Sequence, residues 1–249
     1  KVNMTMASKA LRVIGFAVKY VEEEQNYKEE NLIFLGLAGM IDPPRKEVKD
    51  AVKKCLRAGM RPIMITGDHM ETAFAVAKEV GIVSKKSQIL TGGEIDAMSD
   101  EVFLKKLESV NVFARVSPEN KVRIVEGLKT LGHVVAMTGD GVNDAASMKK
   151  ANICIGMGIS GTDVTKEVAD LIITDDNFAT IVVAVEEGRK VYTNIQKTVK
   201  FLFSANMGEI LAMFLATIIF PQHVFLLPIQ ILFVNLITDS LPAIALGVE

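Results

Sequence analysis

The chain has 249 residues, of which 49% are hydrophobic and 23% are charged, enough for one ordinary domain and an additional apolar region. Its formal net charge of -2 gives no reason to expect nucleic acid or an anionic surface as a partner. The two cysteines, Cys55 and Cys154, fit no metal-ligand spacing and are typical of reduced core residues in a cytosolic region.

The first 60 residues contain two predicted strands and one helix. Residues 10–20 pass from the end of a helix into an apolar strand, residues 22–31 form a polar linker or hairpin tip, and residues 31–41 are typical of a second strand. The segment Asp42-Pro43-Pro44-Arg45 then prevents helix formation, because proline restricts both itself and the residue before it. A helix with apolar residues at helical spacing is predicted from Lys46 until Gly59.

Strands and helices alternate along the next hundred residues. The predicted strands are residues 62–65, 112–114, 133–137 and 153–155. The predicted helices are residues 71–80, residues 120–131 and one that starts near Ala145. This alternation predicts an α/β fold with a doubly wound parallel sheet.

Three clusters of polar residues follow the predicted strands. They are Thr66-Gly67-Asp68, Arg115 with Lys121, and Asp140 with Asn143 and Asp144. Ligands of such sheets bind outside the carboxyl ends of the strands, so we expect the three clusters to converge. They provide a hydroxyl and main-chain N–H groups for a phosphoryl oxygen, a lysine for its charge and carboxylates for magnesium. Taken singly, a helix-capping threonine and a solvated lysine are the ordinary alternatives.

The last third of the chain is predicted to be helical and to enter a membrane. Asp175-Asp176-Asn177 is a candidate cap for a helix without proline from Phe178 to Phe220, although a break near Gly188 stays open. Residues 201–220 and 224–247 are each long and apolar enough to span a bilayer. Basic residues before the first span predict that the soluble domain is cytosolic. These residues are Arg189, Lys190, Lys197 and Lys200.

The two spans carry acidic residues near their centres. Glu209 and Asp239 each cost on the order of 2.5–3.5 kcal/mol at such a position, so they need partners or a function. Asn206 shares a helix face with Glu209, and Asn235 and Thr238 share a face with Asp239. All five side chains offer hard oxygen ligands, which favours calcium or another hard cation over zinc or copper. Hydrogen bonding between helices is the alternative for Asn206 and Thr238.

A proline in the second span extends this prediction. Pro242 lies just beyond Asp239, and proline frees a carbonyl group upstream. We therefore expect a locally unwound second span that adds main-chain ligands for the cation.

The chain resembles one family in three motifs. Thr138-Gly139-Asp140-Gly141-Val142-Asn143-Asp144-Ala145 resembles the hinge motif of P-type cation-transporting ATPases, and the motifs at Asp42 and Thr66 precede it in the family's order. The similarity is closest to calcium pumps of the sarco/endoplasmic reticulum type and their bacterial relatives. The chain departs from the family at Ala145-Ala146-Ser147-Met148, where the family usually has Ala-Pro-Ala-Leu. It also lacks the Asp-Lys-Thr-Gly-Thr segment whose aspartate such pumps phosphorylate, so it resembles the C-terminal part of a catalytic core.

The resemblance implies a haloacid dehalogenase-like phosphorylation domain followed by two transmembrane helices. Residues 1–35 would be the end of a nucleotide-binding domain. Residues 36–195 would be the phosphorylation domain without its first strand and nucleophile. Residues 196–249 would form a helical hairpin that corresponds to the fifth and sixth spans of the family.

The resemblance also implies roles for individual residues. The catalytic residues would be Thr66, Lys121, Asp140 and Asp144, with Asp140 binding Mg²⁺. ATP and its phosphate would be bound by Arg12, Thr66, Gly67, Asp68, Arg115, Lys121 and Asn143. Transported Ca²⁺ would be bound by Asn206, Glu209, Asn235, Thr238 and Asp239. The resemblance makes Asn235 the residue that distinguishes calcium pumps from sodium/potassium pumps, which carry an acidic residue there. It does not distinguish calcium from manganese.

These inferences predict part of an ATP-hydrolysing, calcium-transporting P-type ATPase in a membrane, inactive by itself. Its partners would be the lipid bilayer and the rest of the pump, namely an actuator domain, spans one to four, a nucleotide-binding domain and later spans. Two alternatives stay open. One is a membrane-anchored phosphatase of the same fold, for which Asp42 is the only candidate nucleophile at the end of an early strand. The other is a truncated, non-catalytic protein that binds or regulates a full pump.

Overall fold

The computed structural model describes residues 2–7, 11–20, 28–40, 43–222, 224 and 226–248. The chain divides into two compact units, Lys1–Val182 and Val183–Glu249, which are described separately. The sequence predicts the corresponding boundary later, after residue 195. The alternative nucleophile Asp42 and the end of the predicted first helix lie outside the described residues.

The first unit begins with a short helix and a β-hairpin. Helix α1 (Val2–Ala7) precedes strands β1 (Arg12–Val18) and β2 (Ile33–Met40), which pair antiparallel along their whole length. The pairing starts with Arg12 opposite Met40. A domain boundary after residue 35 would therefore divide β2, a strand that is paired on both sides of that position.

A three-stranded parallel sheet follows, with the strand order β3, β5, β4. Its elements and the intervening helices are α2 (Val48–Arg57), β3 (Met64–Thr66), α3 (Met70–Val80), β4 (Ile89–Thr91), α4 (Gly92–Asp96), α5 (Asp100–Leu107) and β5 (Val112–Ala114). The sequence predicts α2, β3, α3 and β5 near these positions and says nothing of the others. Phe103, Leu107 and Phe113 form the centre of the core and are almost fully buried.

The second part of the domain is a three-stranded parallel sheet with the order β6, β7, β8. Its elements and the helices around it are α6 (Pro118–Thr130), β6 (Ala136–Gly139), α7 (Ala145–Lys150), β7 (Ile153–Met157), α8 (Asp163–Val168) and β8 (Leu171–Ile173). Helix α6 begins earlier than the sequence predicts, because Ser117 accepts a hydrogen bond from the Asn120 N–H and Pro118 fits the first turn. Met137, Met148 and Cys154 form its buried core.

The parallel strands thus form two sheets, whereas the sequence predicts one. In the described part of the chain β3 pairs only with β5, and β6 pairs only with β7, so each is an edge strand. Ile65 on β3 and Val135 just before β6 both pack against the cores of both sheets. The two edges therefore belong to one domain, but no hydrogen bonds of a β-ladder join them.

A helix of 42 residues, α9 (Phe178–Ile219), starts in the first unit and continues into the second. It has no break at Gly188, so the two-helix alternative is wrong. The other elements of the second unit are α10 (Pro228–Val234), a π-helical turn (Asn235–Asp239) and α11 (Ser240–Val248). Helix α9 and the segment Pro228–Gly247 are each long and apolar enough to cross a membrane.

The second span differs from its prediction in two respects. It begins at Pro228 and not at Val224. The expected unwinding near Pro242 is replaced by the π-helical turn Asn235–Asp239. A π turn widens the helix by one residue and keeps most main-chain hydrogen bonds within it, which costs less than unwinding in a surrounding without water.

The start of α9 is tied to the segment that precedes α2. Asn177 Oδ1 accepts a hydrogen bond from the Ala179 N–H (3.0 Å), which confirms the predicted cap. The same side chain donates through Nδ2 to Glu47 Oε1 (3.0 Å). Arg45 donates to the main-chain oxygen of Asp175 (3.3 Å). The cap of α9 is therefore shared with a part of the chain that lies 130 residues earlier.

Candidate functional site

The loop after β3 contains the first predicted cluster. Thr66 Oγ1 donates to Asp68 Oδ2 (3.0 Å) and accepts from the Asp68 N–H (3.1 Å). This turn closes the strand and leaves the Gly67 and Asp68 side of the loop exposed. A hydroxyl and main-chain N–H groups at the carboxyl end of a parallel strand are suited to an anionic oxygen.

Arg115 follows β5 and contacts this loop. Its φ of 51° is in the left-handed region, which is uncommon for a residue with a side chain. Its N–H donates to the main-chain oxygen of Asp68 (3.1 Å), and a Cβ at Gly92 would lie only 2.3 Å from its carbonyl oxygen. Its guanidinium Nη2 contacts His69 Nε2. The ends of β3, β4 and β5 therefore meet around the main chain of Arg115.

Residues 138–145, the octet that begins within β6, contain one partner of a mostly buried ion pair. Lys121 Nζ on α6 lies 2.6 Å from Asp144 Oδ1, and the two side chains are 19% and 11% exposed. Asp144 Oδ2 accepts from the Gly141 N–H (3.2 Å), so the carboxylate also fixes the main chain of the loop. Gly139 is required here, because a Cβ would lie 2.5 Å from Asp144 Cβ and 2.6 Å from Met148 Sδ. The ion pair joins α6 to the octet.

Asp140 and Asn143 lie at the surface of the same loop, and both are exposed. The main-chain oxygen of Asp140 accepts from the Thr162 N–H (2.9 Å), which connects the octet to the start of α8. The side chain of Asp140 thus stands at the carboxyl end of β6, where a hard cation with water ligands can reach it. Among the described residues, no three His, Cys, Asp or Glu side chains come together as a metal centre.

The neighbouring loop after β7 is held by Asp176. Its carboxylate accepts from the N–H groups of Ile159 (3.0 Å) and Ser160 (2.7 Å). These hydrogen bonds lower the pKa of Asp176 to about 2, and the one from Ile159 contributes most. Asp176 has a φ of 49°, which aspartate tolerates better than most residues. The sequence predicts Asp176 only as part of a helix cap, so this role was missed.

The structure joins the predicted phosphate-site residues in two groups. Thr66 and Asp68 are linked to Arg115, and Lys121 is linked to Asp144. Within the described residues no hydrogen bond or ion pair connects the first group with the second, and β3 and β6 each lie at the edge of their own sheet. The side chain of Arg12 lies outside what the structure describes. His69 and Gly92 are additions that the sequence reasoning did not single out, although His69 directly follows the Thr66 motif.

In the second unit, four of the five predicted cation ligands contact one another in two pairs. Asn206 Nδ2 donates to Asp239 Oδ2 (3.4 Å). One amide atom of Asn235 lies 2.7 and 2.9 Å from the two carboxylate oxygens of Glu209, and it is assigned as the nitrogen, because an oxygen there would face only oxygens. Asp239 is 6% exposed, and its Oδ1 has no hydrogen-bond partner.

Thr238 is the predicted ligand that stands apart. Its side chain is exposed, and its hydroxyl donates to the main-chain oxygen of Val234 (2.6 Å) on the same helix. The π-helical turn changes the angular spacing of Asn235, Thr238 and Asp239, so regular α-helical spacing is a poor guide to their faces.

Comparison with known proteins places this geometry in a family. The family model described as haloacid dehalogenase-like hydrolase matches residues 10–152, and the model for the C-terminus of cation transporting ATPases matches residues 223–249. Calcium-transporting ATPase 1 of Bacillus cereus is 55% identical over 247 residues, which are 98% of this chain and 28% of that protein. The calcium-transporting ATPase of Bacillus subtilis is 49% identical over 248 residues, again 98% of this chain and 28% of that protein.

A eukaryotic protein shows a similar likeness. The endoplasmic reticulum calcium ATPase srcA of Aspergillus fumigatus is 49% identical over 230 residues, which are 90% of this chain and 23% of that protein. The chain thus spans less than a third of the length of these relatives. With its parallel α/β domain and two apolar helices, the chain belongs to the haloacid dehalogenase-like hydrolase family and is a homologue of calcium-transporting P-type ATPases.

Proposed function

We propose that this chain is part of an ATP-driven pump that transports calcium across a membrane through an aspartyl-phosphate intermediate. The observation that carries the proposal is the charge of the polar residues in the two apolar helices. Glu209 and Asp239 bring two carboxylates there, while residues 201–249 contain no lysine or arginine. The partners of these carboxylates are neutral amides, and one oxygen of Asp239 has none. A divalent cation matches this charge.

The calcium ligands would be Asn206, Glu209, Asn235 and Asp239. Without a cation, the two asparagine side chains donate from nitrogen to the carboxylates. A half-turn of the Asn235 amide would present oxygen beside the Glu209 carboxylate, which is the arrangement that a hard cation needs. Thr238 stays a predicted ligand only, because its hydroxyl is engaged with its own helix.

The cytosolic half of the reaction would use the loops of the α/β domain. Asp140 would hold Mg²⁺, which suits an exposed carboxylate with room for water ligands. When bound, Mg²⁺ would neutralise charge on the phosphoryl group. Thr66 and the Gly67–Asp68 main chain would bind phosphoryl oxygens, and Arg115 and Asn143 would contact nucleotide phosphate. Lys121 would supply positive charge, while Asp144 fixes that lysine and the octet.

The phosphorylated aspartate would come from a strand outside this sequence, because the sequence contains no Asp-Lys-Thr-Gly-Thr segment. We propose that this strand pairs between β3 and β6. Both edges lack a ladder partner among the described residues, and Ile65 and Val135 already bring them into a common core. A strand there would place its carboxyl end between the Thr66 loop and the octet. The division of the site residues into two groups supports this placement.

The membrane topology follows from charge. Arg189, Lys190, Lys197 and Lys200 precede the apolar part of α9, so the soluble domain would be cytosolic in a multi-pass protein. Helix α9 is continuous from its cap at Asn177 to Ile219, which supports transmission of domain movement to the cation ligands.

The proposal is tested with Asp239→Asn in the complete gene product that contains this chain. We measure phosphoenzyme formation from ATP at varied calcium concentration. The apparent calcium affinity should fall about 100-fold or more, since a charged ligand is removed. Phosphorylation from inorganic phosphate without calcium should be retained, because the α/β site is untouched.

Thr217→Ala is the matched control in the other apolar helix, α9. The Thr217 hydroxyl is bound to the Met213 carbonyl of its own helix, so this variant should keep normal calcium affinity. Calcium-dependent phosphorylation that survives Asp239→Asn unchanged would refute the assignment of calcium to this site.

A further inference from the structure

His69 is a candidate positioning residue that the predicted machinery does not include. It is the N-cap residue of α3, with an extended backbone (φ -61°, ψ 147°), and it directly follows Asp68. Its ring Nε2 contacts Nη2 of Arg115 across 46 residues of sequence. This contact ties the side chain of the loop after β3 to the side chain that follows β5.

The main chain of Arg115 is already fixed when its side chain reaches His69. The hydrogen bond to the Asp68 oxygen, the left-handed φ and the close approach to Gly92 determine where the Cα–Cβ bond of Arg115 starts. A left-handed conformation costs a residue with a side chain about 1 kcal/mol or more, so surrounding contacts must impose it. What stays undetermined by the main chain is the direction of the long, exposed guanidinium group.

The chemistry of the contact defines what His69 can do. A guanidinium group can only donate hydrogen bonds, so the imidazole must accept through Nε2 and be the neutral tautomer with its proton on Nδ1. A neutral acceptor orients the guanidinium and leaves its charge available. A carboxylate in this place would also orient it, but it would occupy the donor fork and cancel the charge that a phosphate needs. None of the ion pairs in the described part of the chain includes Arg115.

We propose that His69 positions Arg115 for an anionic phosphate group of the nucleotide, by accepting a hydrogen bond from its guanidinium at the carboxyl ends of β3 and β5. This inference rests on the proposed function, since it deepens the role of the Arg115 loop. His69 itself acts through Arg115 and not through contact with the substrate. It reduces the conformational freedom that Arg115 would otherwise lose on binding.

The experiment uses the complete gene product and measures phosphoenzyme formation from ATP at varied ATP concentration. His69→Leu, which removes the acceptor, should raise the KM for ATP roughly three- to tenfold, the value of one hydrogen bond, with little change in kcat. His69→Gln keeps an oxygen acceptor and should restore most of the affinity. His133→Leu is the matched control, because His133 is an exposed histidine outside this contact.

A double variant separates positioning from a general structural effect. In an Arg115→Ala background, His69→Leu should have no further effect on the KM for ATP, whereas a loss of stability would add to it. Equilibrium binding of a fluorescent ATP analogue without turnover should follow the same pattern. An unchanged KM in His69→Leu, or full additivity with Arg115→Ala, would overturn this inference while normal phosphoenzyme formation upholds the proposed function. A wild-type protein without any phosphoenzyme would overturn both.

Discussion

Two buried aspartates, one in each unit, show how differently the same side chain can be held. As whole residues, Asp144 is 7% exposed and Asp239 is 6% exposed, so burial does not distinguish them. Asp144 has a lysine ammonium group at 2.6 Å, and its second oxygen accepts from a main-chain N–H. Asp239 has one amide donor at 3.4 Å on one oxygen and no partner for the other.

This difference separates a carboxylate whose charge the protein compensates from one whose charge it leaves largely uncompensated. Removing a carboxylate from water is costly unless charge and hydrogen bonds compensate for it, and at Asp144 the protein provides both. At Asp239 the described residues provide neither in full. The described residues therefore compensate the charge of Asp144 and leave that of Asp239 largely uncompensated, although the α/β loops carry the more recognisable motif.

The largest change in stability is expected when Asp144 loses Lys121, its cation partner. Lys121→Met should lower the free energy of unfolding by about 2 kcal/mol, because Asp144 stays buried and loses its cation. Thermal unfolding of the solubilised protein should then show a fall in Tm of roughly 4–8 °C.

Lys53→Met is the control for this prediction. Lys53 pairs with Asp50, but the two side chains are 57% and 77% exposed, so the change should stay within about 0.5 kcal/mol. Equal losses in the two variants would mean that burial does not decide the value of these ion pairs.

A third aspartate tests the comparison through pH. Asp176 is partly exposed and accepts from two main-chain N–H groups, which lowers its pKa to about 2. A folded-state pKa below the unfolded value of about 3.9 gives stability that is present above that pH and is lost as the pH falls towards 2. The advantage of the wild type over Asp176→Asn should therefore be constant above about pH 4 and shrink below it.

Thermal unfolding measured from pH 7 to pH 2 provides this test. Ile159→Ala is the control, since its exposed side chain is removed while the N–H group that Asp176 accepts from is kept. If the Asp176→Asn difference does not change with pH, the carboxylate is not held by its charge.

The smallest effect concerns the helix that connects the two regions. Gly188 is exposed in α9, and a Cβ there would meet nothing within 4 Å. Gly188→Ala should therefore raise the free energy of unfolding by about 0.5–1 kcal/mol and leave phosphorylation unchanged. Gly81→Ala is the contrasting variant, because Gly81 ends α3 with a φ of 88° and should lose stability. A destabilising Gly188→Ala would indicate that α9 is interrupted there.

The sequence predicts those parts of the fold in which local residues mark where a helix or strand begins or ends. Pro43-Pro44 and Gly59 delimit α2, and alternating apolar runs locate β3, β5 and β6 within a few residues. The segment from β4 to α5 was missed, because its helices of five and eight residues are too short to show a helical period. One signal there was readable: Thr91 and Glu94 form a capping box at the start of α4.

The sequence names candidate site residues, but it does not predict the contacts between them. Spacing along one helix places Asn206 near Glu209, whereas the structure pairs Asn206 with Asp239 and Glu209 with Asn235 across two helices. Such pairs depend on packing between elements, which periodicity does not contain. The split into two sheets was likewise hidden, because a strand pattern does not reveal which neighbour is missing.

The shared cap at the start of α9 has a consequence for the order of folding. Asn177 completes the first turn of α9, and it is held by Glu47, which lies 130 residues earlier. Contacts between such distant segments form late, since the chain between them must be ordered first. The apolar end of α9 can form with only the main-chain hydrogen bonds between residues four apart. The two ends of this one helix would therefore acquire their structure at different times during synthesis.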